Sequence, residues 1–124
     1  MINKKKGDNM DINIKISDFA KVVNERYLTY MNTSFPTLEK DELKTKRGRK
    51  YTSFWFGGKG TPIGSGGNSI HCFINNETGD IYKPASTKLP AKHARGNLFS
   101  KIDGLEAFGS ESPKNNGYYW IRYM

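Results

Sequence analysis

The sequence is poor in the residues that build metal centres and disulfides. Its 124 residues include one cysteine, Cys72, and two histidines, His71 and His93. A single cysteine cannot form an intrachain disulfide, and so few scattered ligands do not make a structural zinc site. The composition therefore predicts no metal, and a reducing compartment fits best.

The chain also lacks the apolar runs of membrane and secreted proteins. No stretch approaches the roughly 18 apolar residues of a membrane span, and the basic start MINKKKGDNM is not followed by the apolar core of a signal peptide. The glycine-rich stretch 57–68 lacks the spacing and the following helix of a phosphate-binding P-loop. We therefore expect an intracellular protein with no membrane partner and no cofactor.

Acidic residues are scarce in the middle of the chain, and the net charge of +8 comes from that segment. From Leu43 to Ile102 there are eleven lysines and arginines but only two acids, Glu77 and Asp80. Residues 1–42 are neutral, and residues 103–124 carry one net negative charge. A surplus confined to the middle of the chain is typical of a protein that binds nucleic acid or another polyanion.

The first third of the chain predicts an arm, a strand and a helix. Residues 1–10 offer little to bury, which predicts a disordered basic arm before a single domain over 11–124. Three isoleucines alternate with polar residues over 11–16, a pattern that indicates a short half-buried strand. Ser17 is a good helix N-cap, and the apolar spacing that follows predicts an amphipathic helix over 18–32.

Four further stretches have the composition of strands. The clearest is a hairpin, in which two apolar-rich runs flank a short loop where Gly79 can supply a positive φ. The aromatic run from Tyr51 to Phe56 and the aromatic C-terminal run are also typical of strands. The predicted fold is α+β, an antiparallel sheet of about four to five strands with one amphipathic helix packed on one face. The strands are expected near 11–16, 51–56, 69–75, 80–84 and 117–123.

Two cationic stretches adjoin these strands. Residues 44–50 form a basic ribbon that leads into the aromatic strand at Tyr51. Residues 83–95 are basic and contain two prolines, and the pattern over 90–97 predicts one helical turn that ends at Gly96. In the strand over 69–75, alternation turns Cys72 into the core and His71 and Phe73 toward the opposite face.

Aromatic and cationic side chains are therefore expected to share one face of the sheet. Such surfaces hold single-stranded nucleic acid, since bases stack on aromatic rings and cations contact phosphates. We predict a non-enzymatic protein that binds single-stranded DNA or RNA and leave a homo-oligomer open. The predicted nucleic-acid-binding residues are Lys44, Lys46, Arg47, Arg49, Lys50, Tyr51, Trp55, His71, Phe73, Lys83, Lys88, Lys92, His93 and Arg95.

Two other functions remain open from the residues alone. A small virion or assembly protein could use the same basic surface against a genome or an acidic partner. A nuclease-like enzyme could use two histidines for acid and base roles beside cationic phosphate clamps. For that reading the candidate residues are His71, His93, Lys83, Lys92 and Arg95, whereas no catalytic residue is assigned in the favoured one.

The central half of the chain also resembles a known group of proteins. The run SIHCFINNETGDIYKPASTKLPAKHARGN, with RGRKY upstream, is similar to a segment of small virus-encoded proteins of bacterial and algal viruses. Those proteins commonly have a tryptophan where this chain has Thr87. The resemblance implies a viral, including bacteriophage, origin and a setting in the host cell cytoplasm, with the virion as an alternative. It implies no mechanism.

Overall fold

A computed structural model describes residues 2–108 and residue 121, with side chains from residue 12 onward. Within these residues the chain forms one long helix, a five-stranded sheet and one 3-10 helix. The elements are α1 Ile2–Ser34, β1 Glu42–Arg47, β2 Tyr51–Gly57, β3 Ser69–Asn75, β4 Asp80–Pro84, β5 Pro90–Asn97 and the 3-10 helix Leu105–Phe108.

The sheet is an antiparallel meander with the strand order β1-β2-β3-β4-β5, and α1 packs on one of its faces. The helix makes ring contacts with β2, with Phe19 and Phe54 centroids 6.1 Å apart and Tyr27 and Phe56 centroids 4.4 Å apart. The predicted α+β fold, a sheet with one helix on one face, is confirmed.

The first predicted strand is wrong, because residues 11–16 belong to α1. Ile12 and Ile16 are buried together with Phe19 and Val23, which is the three- and four-residue spacing of a helix. Ile14, the middle residue of the apparent alternation, is 57% exposed. The helical spacing therefore continues through Ser17, which lies inside α1 and is not its N-cap as predicted. The predicted division near residue 10 between a disordered arm and a domain stays a prediction.

The central hairpin is confirmed. Strands β3 and β4 pair in antiparallel register through Phe73–Tyr82 and Ile74–Ile81. Gly79 has a φ of 81° in the loop between them, as the sequence predicts. The Cβ of any other residue at this position would lie 3.0 Å from the Phe99 ring, so both conformation and packing favour glycine.

The two outer strands differ from expectation. Residues 90–97 form strand β5, paired with β4, so the predicted helical turn is wrong. The first half of the basic ribbon forms strand β1, which pairs with β2 from Glu42–Gly57 to Arg47–Thr52. The sequences of both strands contain few residues that favour strands, so the strands depend on pairing with β2 and β4.

The core lies between α1 and the helix-facing side of the sheet, and the 3-10 helix closes one end of it. Phe54, Cys72, Ile74, Ile81 and Phe108 are completely buried there. The inward position predicted for Cys72 is thereby confirmed. The strand predicted over 117–123 lies outside the described residues, apart from the buried Ile121. Among the residues searched, no helix has the length and apolar character to cross a membrane.

Candidate nucleic-acid interface

Strand β2 sorts its side chains between the two sides of the sheet. Thr52, Phe54 and Phe56 alternate with Tyr51, Ser53 and Trp55, and the first set faces α1. The Trp55 indole Nε1 donates to Ser53 Oγ at 2.9 Å, which places both on the other side. We call the side of the sheet opposite α1 the far face.

Strands β3 and β4 add two more rings to the far face. Phe73 and Tyr82 are paired across the two strands. The Tyr51 ring meets both of them edge-on, at centroid distances of 5.9 Å to Phe73 and 6.0 Å to Tyr82. Trp55 and Phe73 are buried but do not belong to the core cluster under α1. The far face therefore has an aromatic cluster of its own.

The aromatic rings differ in how far they reach solvent. Trp55 is 7% exposed and Phe73 is 5% exposed, so these two form a floor. Tyr51 and Tyr82 are half-buried and present more of their rings. Lys50 Nζ lies 5.5 Å from the centroid of the Tyr51 ring, within range of a cation–π contact.

The floor is bordered by basic side chains, and together they enclose a cavity of about 310 Å³ that we call the far-face recess. Four of its lining residues are cationic and none is acidic. The lining residues are Lys46, Gly48, Arg49, Lys50, Tyr51, Ser53, Trp55, Phe73, Thr87 and Lys88. Aromatic rings below and ammonium and guanidinium groups at the rim make a surface suited to planar anions.

Asn76 holds the cationic turn of this recess in place. Its backbone N–H donates to Lys50 O at 2.8 Å, and its side-chain Nδ2 donates to Gly48 O at 3.0 Å. The buried side chain also accepts a hydrogen bond from Thr52 Oγ1. The β3–β4 turn is thereby bonded to the β1–β2 turn, which fixes the backbone that carries Arg49 and Lys50.

Ionisation does not alter the aromatic cluster at neutral pH. Partial burial, and then the neighbouring Asp80 carboxylate and Tyr51, raise the pKa of the Tyr82 phenol. A phenol already neutral in the physiological range is made still harder to ionise. Tyr82 therefore adds no negative charge to a surface bordered by cations.

Seven of the fourteen predicted binding residues line the far-face recess. They are Lys46, Arg49, Lys50, Tyr51, Trp55, Phe73 and Lys88. Two of the remaining cations of β1 make bonds within the protein. Lys44 Nζ donates to Gly58 O at 2.7 Å and to both oxygens of Thr61, and Arg47 Nη1 donates to Asn13 Oδ1 of α1 at 2.6 Å.

The predicted position of His71 on the far face is wrong. The pairing of β2 with β3 shifts between Phe54–Cys72 and Trp55–Ile70, which leaves His71 as the extra residue of a bulge. Its ring is stacked on Phe54 at 6.4 Å and meets Phe56 edge-on at 5.9 Å. His71 therefore lies on the helix side, where it is 8% exposed.

Lys83 shares the helix-side position of His71. Both line a cavity of about 340 Å³ with Tyr27, Asp41 and Phe56, separate from the far-face recess. The last three predicted residues, Lys92, His93 and Arg95, lie on the outer strand β5, where the first two are exposed. His71 and His93 do not line a common cavity among those described. The searched residues also hold no cluster of three or more potential metal ligands.

Sequence reasoning missed several residues of the recess. Ser53 accepts a hydrogen bond from the Trp55 indole, and Thr87 lines the recess. Neither the charge count nor the strand alternation singles out Thr87, which lies in the connection between β4 and β5. Asn76 gave no signal, because its partners are two backbone oxygens of a turn 26–28 residues earlier in the chain and the hydroxyl of Thr52 in β2.

Comparison with known proteins gives a family and no function. A family model described as a family of unknown function, DUF7717, matches residues 3–118. Because the match covers most of the chain, the protein belongs to this family. No curated protein and no solved structure matches it significantly.

Proposed function

We propose that this member of the family is a non-enzymatic protein that binds single-stranded nucleic acid at the far-face recess. The observation that carries the proposal is the composition of the recess, in which the half-buried Tyr51 ring lies above the buried Trp55 and Phe73 and among four cations without an acid. Stacking on aromatic rings and neutralisation of phosphates are the two contacts that hold an unpaired strand.

Burial alone explains the rings but not the cations. A sheet in a small domain must cover its apolar surface, so aromatic residues on either face are expected. Lys46, Arg49, Lys50 and Lys88 are exposed and lie around the rings, where like charges repel one another. A polyanion removes this repulsion, and its phosphates explain why the cations are collected here.

The floor of the recess offers little means to distinguish one base from another. The Trp55 indole N–H donates to Ser53 Oγ, and the Ser53 hydroxyl in turn donates to Lys46 O at 3.5 Å. Bases are distinguished by hydrogen bonds to their edges, whereas stacking is tolerant of sequence. The proposal is therefore binding without strong preference for sequence.

Fluorescence anisotropy with labelled oligonucleotides tests the proposal. We expect a single strand to bind at low salt, and the dissociation constant to rise steeply as salt is added, because phosphate neutralisation releases counterions. The same sequence as a duplex should bind more weakly, since its bases are not available to the rings. Absence of binding at low salt, or binding that added salt leaves unchanged, would overturn the proposal.

The proposal includes a setting, which the similarity of residues 69–97 to viral proteins supports. A viral protein that binds single strands acts in the infected host cell, in contact with replicating or transcribed genomes. Immunodetection in fractionated infected cells should therefore find it in the host cytoplasm. Its recovery only from purified particles would favour the alternative of a virion protein.

A further inference from the structure

A second concave surface adjoins the far-face recess. It is lined by Arg49, Lys50, Asn75, Asn76 and Glu77 and has a volume of about 340 Å³, and we call it the turn groove. Arg49 and Lys50 line both the recess and the groove. The two concavities therefore meet at the cationic turn between β1 and β2.

The geometry points to a second nucleotide subsite in the turn groove, so that the ligand is a chain of at least two nucleotides. This inference rests on the proposed function and extends it. Successive nucleotides are joined by a phosphodiester, which carries one negative charge between two bases. Arg49 and Lys50 lie at the junction of the two concavities, where that phosphate would lie if one nucleotide occupied each.

The turn groove is a fixed surface. Asn76 bonds the backbone of the β1–β2 turn on one side, and Asn75 Oδ1 accepts from Glu77 N at 2.8 Å and Thr78 N at 3.0 Å on the other. Both turns therefore keep their shape without a ligand. A preformed groove binds a strand without the entropic cost of ordering a loop.

Glu77 makes the two concavities chemically different. It is the one acidic residue that lines either of them, and its side chain is exposed at the turn. A carboxylate beside the second nucleotide opposes its phosphates, and it can accept hydrogen bonds from base amino groups. Removing its charge should tighten the binding of a ligand that reaches the groove.

A length series of thymidine ligands with one pair of variants tests the inference. Isothermal titration would compare the 5′-mononucleotide, the dinucleotide and an octanucleotide on the wild type, Glu77→Gln and the control Glu39→Gln. Glu39 is also exposed and lines neither concavity, so its substitution makes the same change in net charge. At low salt we expect Glu77→Gln to tighten the dinucleotide and octanucleotide about two- to fivefold.

The mononucleotide should gain less from Glu77→Gln than the dinucleotide does, and Glu39→Gln should change all three ligands little. Equal affinity of the wild type for mononucleotide and dinucleotide, or equal effects of the two variants, would overturn the second subsite. If the wild type binds none of the ligands, nor longer single strands, in a salt-dependent way, the proposed function itself fails. The two failures are thus separate outcomes.

Discussion

The two faces of the sheet are built from the same strands and have almost opposite surroundings. On the helix side, Phe54, Ile74 and Ile81 are completely buried against α1 and its neighbours. On the far face, Trp55 and Phe73 are buried to a similar degree but lie under a rim of lysine and arginine. Aromatic content alone therefore does not distinguish a core from a binding surface.

The cations distinguish the far face from the core, and they fall into two groups: some bond within the protein and others line the recess. Arg47 and Lys44 make hydrogen bonds to α1 and to the glycine-rich loop, so they contribute to the fold. Lys46, which lies between them in β1, lines the far-face recess. Alternation separates the adjacent Lys46 and Arg47, which pair with Ser53 and Thr52 on opposite sides of the sheet. Lys44 has the same parity as Lys46 and differs from it because its ammonium group bonds the glycine-rich loop.

The largest effect on stability is expected from a substitution on the helix side of the sheet. Phe54→Ala removes a completely buried ring that contacts Phe19, and should lower the free energy of unfolding by about 3–5 kcal/mol. Urea denaturation followed by circular dichroism measures it. Phe35→Ala is the control, because that ring is 44% exposed and should cost much less. Equal costs would mean that the helix-side cluster is not the core.

A smaller effect is expected where the two turns are joined. Asn76→Ala leaves Gly48 O and Thr52 Oγ1 without their bonds and should lower the free energy of unfolding by about 1–3 kcal/mol. Oligonucleotide affinity should fall as well, since the turn carrying Arg49 and Lys50 loses its support. Asn32→Ala, at an exposed position of α1, is the control. A stable variant with unchanged affinity would contradict the role assigned to Asn76.

The far face should respond in binding and not in stability. Lys46→Gln with Lys88→Gln removes two cations of the recess and should weaken oligonucleotide binding about tenfold at low salt. The slope of log affinity against log salt should fall by roughly two, and the free energy of unfolding should change by less than about 0.5 kcal/mol.

The control for that pair is Lys21→Gln with Lys101→Gln, two exposed lysines that do not line the recess. It makes the same change in net charge. If both double variants weaken binding equally, the affinity comes from overall charge and the recess has no special part in it.

The smallest effect is expected when a thiol reagent is added to the native protein, because Cys72 lies on the buried helix side of the sheet. Cys72 is completely buried on the helix side, and burial raises the pKa of its thiol. The native thiol should therefore resist a disulfide reagent at neutral pH and react fully in denaturant. Spectrophotometric titration of released thiolate checks this. Rapid native reaction would show that the helix side opens to solvent.

The sequence predicts the strands whose own residues favour strand structure. The aromatic content of residues 51–56 predicts a strand, and alternation assigns Tyr51, Ser53 and Trp55 to one side and Phe54 and Phe56 to the other. The structure shows the same division. The central hairpin is similarly visible, because Gly79 supplies the one conformation that its turn requires.

Other parts depend on partners that a sequence does not reveal. Strands β1 and β5 have few residues that favour strands, and they are extended because they pair with β2 and β4. His71 changes sides because a bulge inserts one residue into the pairing of β3, which reverses the alternation at that point. Seven of the ten residues that line the recess were predicted from alternation or charge. Of the other three, Gly48 and Thr87 lie in the connections between strands, and Ser53 is a small polar residue among aromatic neighbours.

The order of the strands also bears on aggregation. In the sheet of the described residues β1 and β5 are the outermost strands, and their charged residues are Lys44, Lys46, Arg47, Lys92 and Arg95, with Glu42 as the one acid. Charged outer strands prevent two sheets from joining edge to edge, because each copy repels the other. If the proposed function holds, a polyanion bound along these strands would reduce the repulsion, and copies would associate more readily on a nucleic acid than without it.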